Sequence, residues 1–177
     1  MAPKNGAKDL WPETLTIYGK MSAADTDIVG SIPTNLGQAA GSTSGRVMEI
    51  VKIIIYFPNA LTDNNGATYS CALGVSEFEQ TDAFVDDAKK PTLIDGFSIY
   101  TTASAGGFIS KTMQRHELVP GGESGRGYLV GSDRLYYAFR SASTSVANEY
   151  ILRVFFKIRT VPLTEWVGIV QSQTGAY

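Results

Sequence analysis

The sequence is poor in cysteine, in histidine and in charge. Its single cysteine, Cys71, excludes an intramolecular disulfide and a cysteine-based zinc site, and its apolar neighbours predict a small buried side chain. No stretch approaches the roughly 20 apolar residues that span a bilayer, and the N-terminus lacks the apolar segment of a signal peptide. We therefore expect no membrane-spanning segment and a chain made in a cytosol-like compartment.

Charged residues make up 18% of the chain, and 15 basic residues face 17 acidic ones, which gives a formal net charge of −2. Dedicated nucleic-acid-binding domains are strongly basic, so this balance argues against one. The length of 177 residues predicts a single domain, 1–177, that buries one core.

What the sequence does contain is β-strand patterning. Apolar residues occupy every even position of 150–158, so a strand over 150–161 would turn all of them toward the core. The β-branched run 46–57 alternates little, which indicates a central strand covered on both sides or a strand that bends, with Glu49 and Lys52 on opposite faces. The even-numbered stripe consists of Tyr150, Leu152, Val154, Phe156 and Ile158.

A turn at 63–66 contains Asn-Gly and predicts that 67–75 is a strand returning beside 46–57. With shorter segments, the total is about eight strands, which favours an all-β, two-sheet antiparallel sandwich of the jelly-roll type, with a barrel as the next choice. Helix signals are limited to 77–90 and to a single turn within 163–170. The shorter strand candidates are 14–20, 27–32, 96–102, 108–118 and 134–140.

No pattern of catalytic or ligating residues stands out. The sole histidine, His116, is a poor candidate for a general base because no Gly-x-Ser-x-Gly nucleophile motif accompanies it. The glycine-rich stretch 120–127 lacks the Gly-Lys-Ser/Thr ending of a phosphate-binding loop. The acidic residues of 77–87 do not have the spacing of a calcium loop. We therefore predict no enzymatic activity, no cofactor and no metal site.

The polar side of the last long strand is basic, and so is that of the preceding strand if Leu135, Tyr137 and Phe139 face the core. Together these cations would form a basic sheet face for nucleic acid or for an acidic neighbour. An ordinary solvated face explains the pattern equally well. The proposed face consists of Arg134, Arg140, Arg153, Lys157 and Arg159.

Two segments resemble capsid proteins of small circular single-stranded DNA viruses. The segment ILRVFFKIRTVPLTEWVGIVQSQ at 151–173 is similar to the last strand and terminal tail of those proteins, and VMEIVK at 47–52 is similar to an earlier strand. The resemblance implies a single jelly-roll coat protein that assembles with copies of itself into an icosahedral shell. It also implies a place in the virion, with assembly in the host cytoplasm or nucleus.

The sequence departs from that family in its N-terminal arm, 1–12. Many relatives have an arginine-rich arm that condenses the genome, whereas this arm has only Lys4 and Lys8 as basic residues. Nucleic acid on the inner face of the shell is therefore an open expectation, and contact with copies of the chain is the firmer one.

The C-terminal tail, 163–177, is too apolar to stay exposed, so we expect it to bind a neighbouring chain, with folding back onto its own sandwich as the alternative. Its apolar residues are Leu163, Trp166, Val167, Ile169 and Val170. The alternative to a shell protein is a lectin-like or adhesin module that binds a ligand on aromatic side chains. Its sugar platform would consist of Tyr100, Tyr128, Tyr136 and Tyr137.

Overall fold

The computed structural model describes residues 12–21, 26–36, 43–57, 61–63, 67–78, 92–100, 109–111, 114–120, 127–143 and 148–174. Within them lie the strands β1 (Glu13–Met21), β2 (Thr26–Pro33), β3 (Ser44–Phe57), β4 (Leu61–Asp63), β5 (Thr68–Gly74), β6 (Leu93–Tyr100), β7 (Ile109–Lys111), β8 (Gln114–Leu118), β9 (Tyr128–Val130), β10 (Arg134–Ala142) and β11 (Asn148–Pro162). The helix α1 (Leu163–Thr174) follows the last strand directly.

Two antiparallel sheets pack face to face. The first, the β11 sheet, has the order β1-β11-β3-β8, and β9 also pairs with β3. The second, the β10 sheet, has the order β2-β10-β5-β6. Because β1 and β2, β3 and β5, and β10 and β11 lie in opposite sheets, the chain crosses repeatedly between the layers. This is the wrapping of a jelly roll, and the predicted fold class is confirmed.

The predicted strands recur with shifted ends, but two connections differ from the prediction. The segment 67–75 does not return beside 46–57, because β5 pairs with β10 and β6 in the opposite sheet. The single strand expected over 108–118 is divided into β7 and β8. Most of the Asn-Gly turn, 64–66, lies outside the described residues. Strands β4 and β9 are not predicted from the sequence, because three residues are too few to show a period.

Strand β3 changes its alternation at Val51. Phe155 of β11 pairs with Lys52, while Phe156 pairs with Ile50, so Val51 is an extra residue that forms a β-bulge. Odd-numbered residues of β3 therefore face the core after the bulge, and even-numbered ones face it before the bulge. The core residues of β3 are Met48, Ile50, Ile53, Ile55 and Phe57.

The bulge also corrects the predicted placement of two charged residues. Glu49 lies opposite Lys157 and Lys52 lies opposite Phe155, both on the side of the β11 sheet away from the core. In a regular strand two residues three positions apart point in opposite directions, whereas one inserted residue brings them to the same face.

The core lies between the two sheets. Tyr150, Leu152 and Val154 are completely buried, as predicted, and the Tyr150 ring stacks on Phe139 of the other sheet with 3.5 Å between ring centroids. Phe156 and Ile158 face the same core but are only partly buried. They line an open cavity of about 290 Å³ at one end of the sandwich, where the sheets separate.

Cys71 is buried in the core, as predicted, and burial raises the pKa of its thiol. The predicted helix over 77–90 falls mostly on residues outside the described part, and Glu77 and Phe78 are not helical. Within the described residues, none of the helical structure has the length and apolar character needed to cross a bilayer.

The helix α1 has 12 residues rather than the single turn expected. Its first amide, of Leu163, donates to the Thr43 carbonyl at 3.0 Å, which joins the start of the helix to the start of β3. Near its end, Gln173 is buried and accepts a hydrogen bond from the Gly131 amide at 2.9 Å. Contacts at both ends stabilise a helix longer than local sequence signals indicate.

Candidate functional site

The outer face of the β11 sheet, on the side away from the core, is the most chemically distinctive surface of the described residues. Odd-numbered residues of β11 lie on it because the even-numbered ones fill the core. The structure places Arg153, Lys157 and Arg159 together on this outer face. β1 borders it on one side and β8 on the other.

Arg134 and Arg140 do not belong to the outer face, because β10 lies in the opposite sheet. Arg140 is buried, and its Nε donates to Asp27 Oδ1 at 2.9 Å. Arg134 is exposed and donates to the Ser31 hydroxyl. The prediction of one basic face made of all five cations is therefore wrong, since the chain crosses between sheets after β10. As predicted, Leu135 and Phe139 face the core, and Tyr137 packs against it.

A buried carboxylate neutralises part of the outer face. The Glu49 side chain is only 4% exposed, and its Oε2 lies 2.8 Å from Nε of Arg159, which is 54% exposed. Its other oxygen accepts a hydrogen bond from the Gly127 amide at 3.0 Å. A Cβ on residue 127 would lie 2.2 Å from the Ile50 carbonyl oxygen, so this approach requires glycine. Arg159 is thus a structural partner of Glu49.

A second ion-pair cluster lies toward β8. Lys52 Nζ is 2.5 Å from Glu117 Oε1, and Arg115 also pairs with Glu117. These cations lower the pKa of the Glu117 carboxyl, with the hydrogen bond from Lys52 as the largest cause. Both cations of this cluster share the single carboxylate of Glu117, so the cluster keeps one net positive charge.

Two cations of β11 on the outer face, Arg153 and Lys157, have no acidic partner among the ion pairs of the described residues. The Arg153 guanidinium lies 5.7 Å from the centre of the Tyr56 ring, within cation–π range. Tyr18 of β1 lies on the same outer face, opposite Ile151 of β11, and is 64% exposed. Arginine and tyrosine are both enriched in protein–protein interfaces. This composition is that of a contact surface with modest positive charge.

The C-terminal tail packs on its own sheet. A Cβ on Gly45 would lie 2.2 Å from the Trp166 ring, so the indole rests directly on the backbone of β3. Ile169 and Val170 pack against Gly131 in the same way, and Leu163 is partly buried. Val167, at 37% exposure, is the large apolar side chain of the helix that is left in solvent. Contact of the tail with a neighbouring chain stays a prediction.

The four tyrosines expected to form a sugar platform do not share one face. Tyr137 and Tyr128 pack against the main core, while Tyr136 packs against a small cluster around Phe78 on the outer side of the β10 sheet. The Tyr100 side chain lies outside the described part. A single aromatic platform made of these residues is therefore excluded.

Three ion pairs with a buried member were not predicted from the sequence: Glu49 with Arg159, Asp27 with Arg140, and Asp95 with His116. A carboxylate inside the apolar run 46–57 is a signal that could have found the first, because a buried charge needs a partner. The other two pairs join strands far apart in the sequence, and no local signal identifies them. Among the described residues, no group of three or more His, Cys, Asp or Glu side chains is placed to hold a metal ion.

The class that this strand order defines is the jelly-roll β-sandwich. No family model matches the sequence, and no curated protein matches it. Similar solved structures are polyomavirus VP1 proteins. Trichodysplasia spinulosa-associated polyomavirus VP1 has a TM-score of 0.53 at 10% identity, covering 85% of this chain and 96% of its own. The same VP1 in complex with GM1 oligosaccharide has a TM-score of 0.52 at 12% identity, covering 89% and 96%.

A third similar structure is an unassembled pentamer of a mutant VP1 from Washington University polyomavirus. It has a TM-score of 0.51 at 9% identity, and the match covers 89% of this chain and 95% of that one. At these identities the likeness establishes the shared fold.

Proposed function

We propose that the chain is a structural capsid protein that assembles with copies of itself into an icosahedral viral shell. The observation that carries the proposal is the two-sheet jelly roll, whose likeness to VP1 capsid proteins of polyomaviruses covers 85% to 89% of the chain. A likeness of the segments 151–173 and 47–52 to coat proteins of circular single-stranded DNA viruses supports the finer assignment to that group.

The outer face of the β11 sheet is the proposed contact surface between subunits. Arg153 and the exposed Tyr18 are side chains that interfaces favour, and Lys157 adds a positive charge for an acidic partner. Lys52, Arg115 and Arg159 share the two carboxylates of Glu117 and Glu49, so the positive charge of the face is smaller than its cations alone would give. These pairings favour an acidic patch of a neighbouring subunit over nucleic acid as the partner of this face.

The helix α1 is the proposed second contact. Leu163, Trp166, Ile169 and Val170 anchor it to its own sheet, which leaves Val167 for a neighbour. An exposed valine on an anchored helix offers an apolar contact at a fixed position. This proposal combines both expectations for the tail, since the helix folds back and presents one apolar residue outward.

Purification of the full chain, followed by light scattering and negative-stain microscopy over a range of salt and pH, tests the proposal. We expect closed particles, or pentamers like that of VP1, far larger than the 19.1 kDa chain. A chain that stays monomeric under every condition would contradict it. That outcome would favour the lectin-like module, although the tyrosine platform on which that alternative rests is not present.

A further inference from the structure

One side of the sandwich is closed by a polar pair that the proposed function does not use. Asp95 lies on β6, an edge strand of the β10 sheet, and His116 lies on β8, an edge strand of the β11 sheet. His116 Nε2 is 3.1 Å from Asp95 Oδ1. The Phe97 ring of β6 stacks on the imidazole with centroids 5.0 Å apart and an angle of 9°. The histidine therefore bridges the two sheets where they lie edge to edge.

The Asp95 carboxyl group is buried and incompletely hydrogen-bonded. Its side chain is 7% exposed, and Oδ1 accepts hydrogen bonds from His116 and from the Gly96 amide at 2.8 Å. Among the described residues, Oδ2 has no partner. A buried carboxylate with an unpartnered oxygen is costly, and a proton on either member of the pair reduces that cost.

We propose that the Asp95–His116 pair is a pH-sensitive latch that holds the edges of the two sheets together, firm in acid and looser as the pH rises. The imidazole is partly exposed, while the carboxylate is enclosed. Both strands are edges, so loosening them does not break the central pairing of β11 with β1 and β3.

The surroundings of the pair add one further titratable group within the described residues. On β5, Cys71 lies close enough to Asp95 for the carboxylate to help raise the pKa of the thiol, after burial as the larger cause. On β8, Arg115 and Glu117 flank His116 but point to the outer face, where Glu117 pairs with Lys52 of β3. From β3, the apolar Ile55 lies opposite His116.

The direction of the pH effect follows from Asp95. Burial raises the pKa of this carboxyl, and the hydrogen bond and charge of His116 oppose the rise. The folded chain therefore keeps a proton that the unfolded chain has lost, between the ordinary pKa of an aspartate and the raised one. Stability from this group is fully present below that window and falls as the pH rises through it.

Carbon-13 NMR titration of Asp95 in the intact chain tests the latch, together with urea unfolding between pH 4 and 7. We expect Asp95 to titrate above the ordinary aspartate value, and higher still in His116→Gln, which keeps a hydrogen-bond donor without the charge. The folded-to-unfolded ratio of wild type should fall at least about threefold more over this range than that of Asp95→Asn, which has no carboxyl group to titrate.

Hydrogen exchange shows which strands open as the pH rises. Amides of β6 and β8 should lose protection relative to β11 as the pH rises in wild type, after correction for intrinsic rates, and should not do so in Asp95→Asn. An ordinary titration of Asp95 in wild type would overturn the proposal without any variant. Equal pH dependence of wild type and a folded Asp95→Asn would overturn it as well. Neither result depends on whether the chain assembles.

Discussion

The two members of the Glu49–Arg159 ion pair differ in solvent exposure. The Glu49 side chain is almost fully buried, whereas Arg159 is half exposed and can be solvated if Glu49 is lost. The two members of the pair are therefore not equivalent. Removing the cation leaves a buried charge, and removing the carboxylate charge leaves an arginine in water.

We expect Arg159→Ala to lower the unfolding free energy by about 2–3 kcal/mol and Glu49→Gln by about 1–2 kcal/mol, since a solvated arginine needs no partner. Urea denaturation of both variants at neutral pH measures the difference. Lys20→Ala, which removes an exposed cation of β1 that lies opposite Glu149 and away from Glu49, is the control, and it should change stability by less than about 0.5 kcal/mol. If Glu49→Gln costs more than Arg159→Ala, the carboxylate is not stabilised by Arg159 in this way.

The position of an even-numbered residue along β11 should determine how much its truncation to alanine lowers the unfolding free energy. Leu152 is fully buried between the sheets, and Phe156 lines the open cavity at the end of the sandwich. We expect Leu152→Ala to cost about 2–5 kcal/mol. Phe156→Ala should cost about 1.5–3 kcal/mol, below the value for a completely buried phenylalanine, because part of its surface is already in water.

Equilibrium unfolding in urea measures both costs, and the slope of free energy against urea concentration should stay unchanged. A larger loss for Phe156→Ala than for Leu152→Ala would mean that the cavity is filled by other groups in the folded protein. The sequence predicts the direction of all five stripe residues but not their degree of burial. Burial depends on where the opposite sheet ends, which no local period encodes.

At the scale of elements, the bulge at Val51 shows which part of the fold the sequence predicts. Composition identifies β3 as a strand because β-branched residues dominate 46–57. The missing alternation has two causes in the structure: the bulge, which reverses the phase, and α1, which packs against β3 and so covers Val47. The sequence of 46–57 is compatible with both causes, and only the pairing of β3 with β11 shows where the bulge lies.

Strands that are consecutive in the sequence need not lie in the same sheet, so their polar side chains need not share a face. Arg140 on β10 and Arg153 on β11 belong to consecutive strands and point away from the core, yet they lie on opposite outer surfaces. Alternation predicts which side of a strand is polar. It does not predict which sheet the strand joins, because long-range pairing decides that.

The helix α1 offers a matched pair of substitutions that separates folding from assembly. Trp166 rests on Gly45 and anchors the helix, while Val167 beside it is exposed. Trp166→Ala should lower the unfolding free energy by about 2–4 kcal/mol. Val167→Asp should leave stability within about 0.5 kcal/mol of wild type and should reduce particle formation, because a charge would face an apolar contact.

Urea unfolding and light scattering on the same samples measure these two effects. Thr164→Asp, at another exposed position of the helix, is the control for added negative charge. If Val167→Asp forms particles as well as wild type does, α1 is only part of its own subunit. Deletion of 163–177 would not decide this, because it also exposes the part of β3 that the helix covers.

At the scale of the whole molecule, the ion pairs change which residues test the proposed contact surface. Reversing Arg153, Lys157 and Arg159 together would also break the buried Glu49 pair and would confuse misfolding with lost assembly. Arg153 and Lys157 alone are the appropriate pair, since neither makes an ion pair within the described residues. Their reversal moves the formal net charge of the chain from −2 to −6, because each reversal subtracts two.

We therefore predict that Arg153→Glu combined with Lys157→Glu leaves the monomer folded, with a loss below about 2.5 kcal/mol from the cation–π contact, the surface charges and the new carboxylate opposite Glu49. Particle yield should fall, and assembly of the remaining material should rise with salt, because screening weakens repulsion from an acidic partner. The control, Arg46→Glu with Arg134→Glu, makes the same charge change at exposed sites away from the outer face.

Equal loss in both variants would indicate that net charge alone controls assembly. An unchanged yield in the test variant would show that the outer face is solvated in the particle. A drop in packaged nucleic acid at normal yield would make the genome, rather than a neighbouring subunit, the partner of this face.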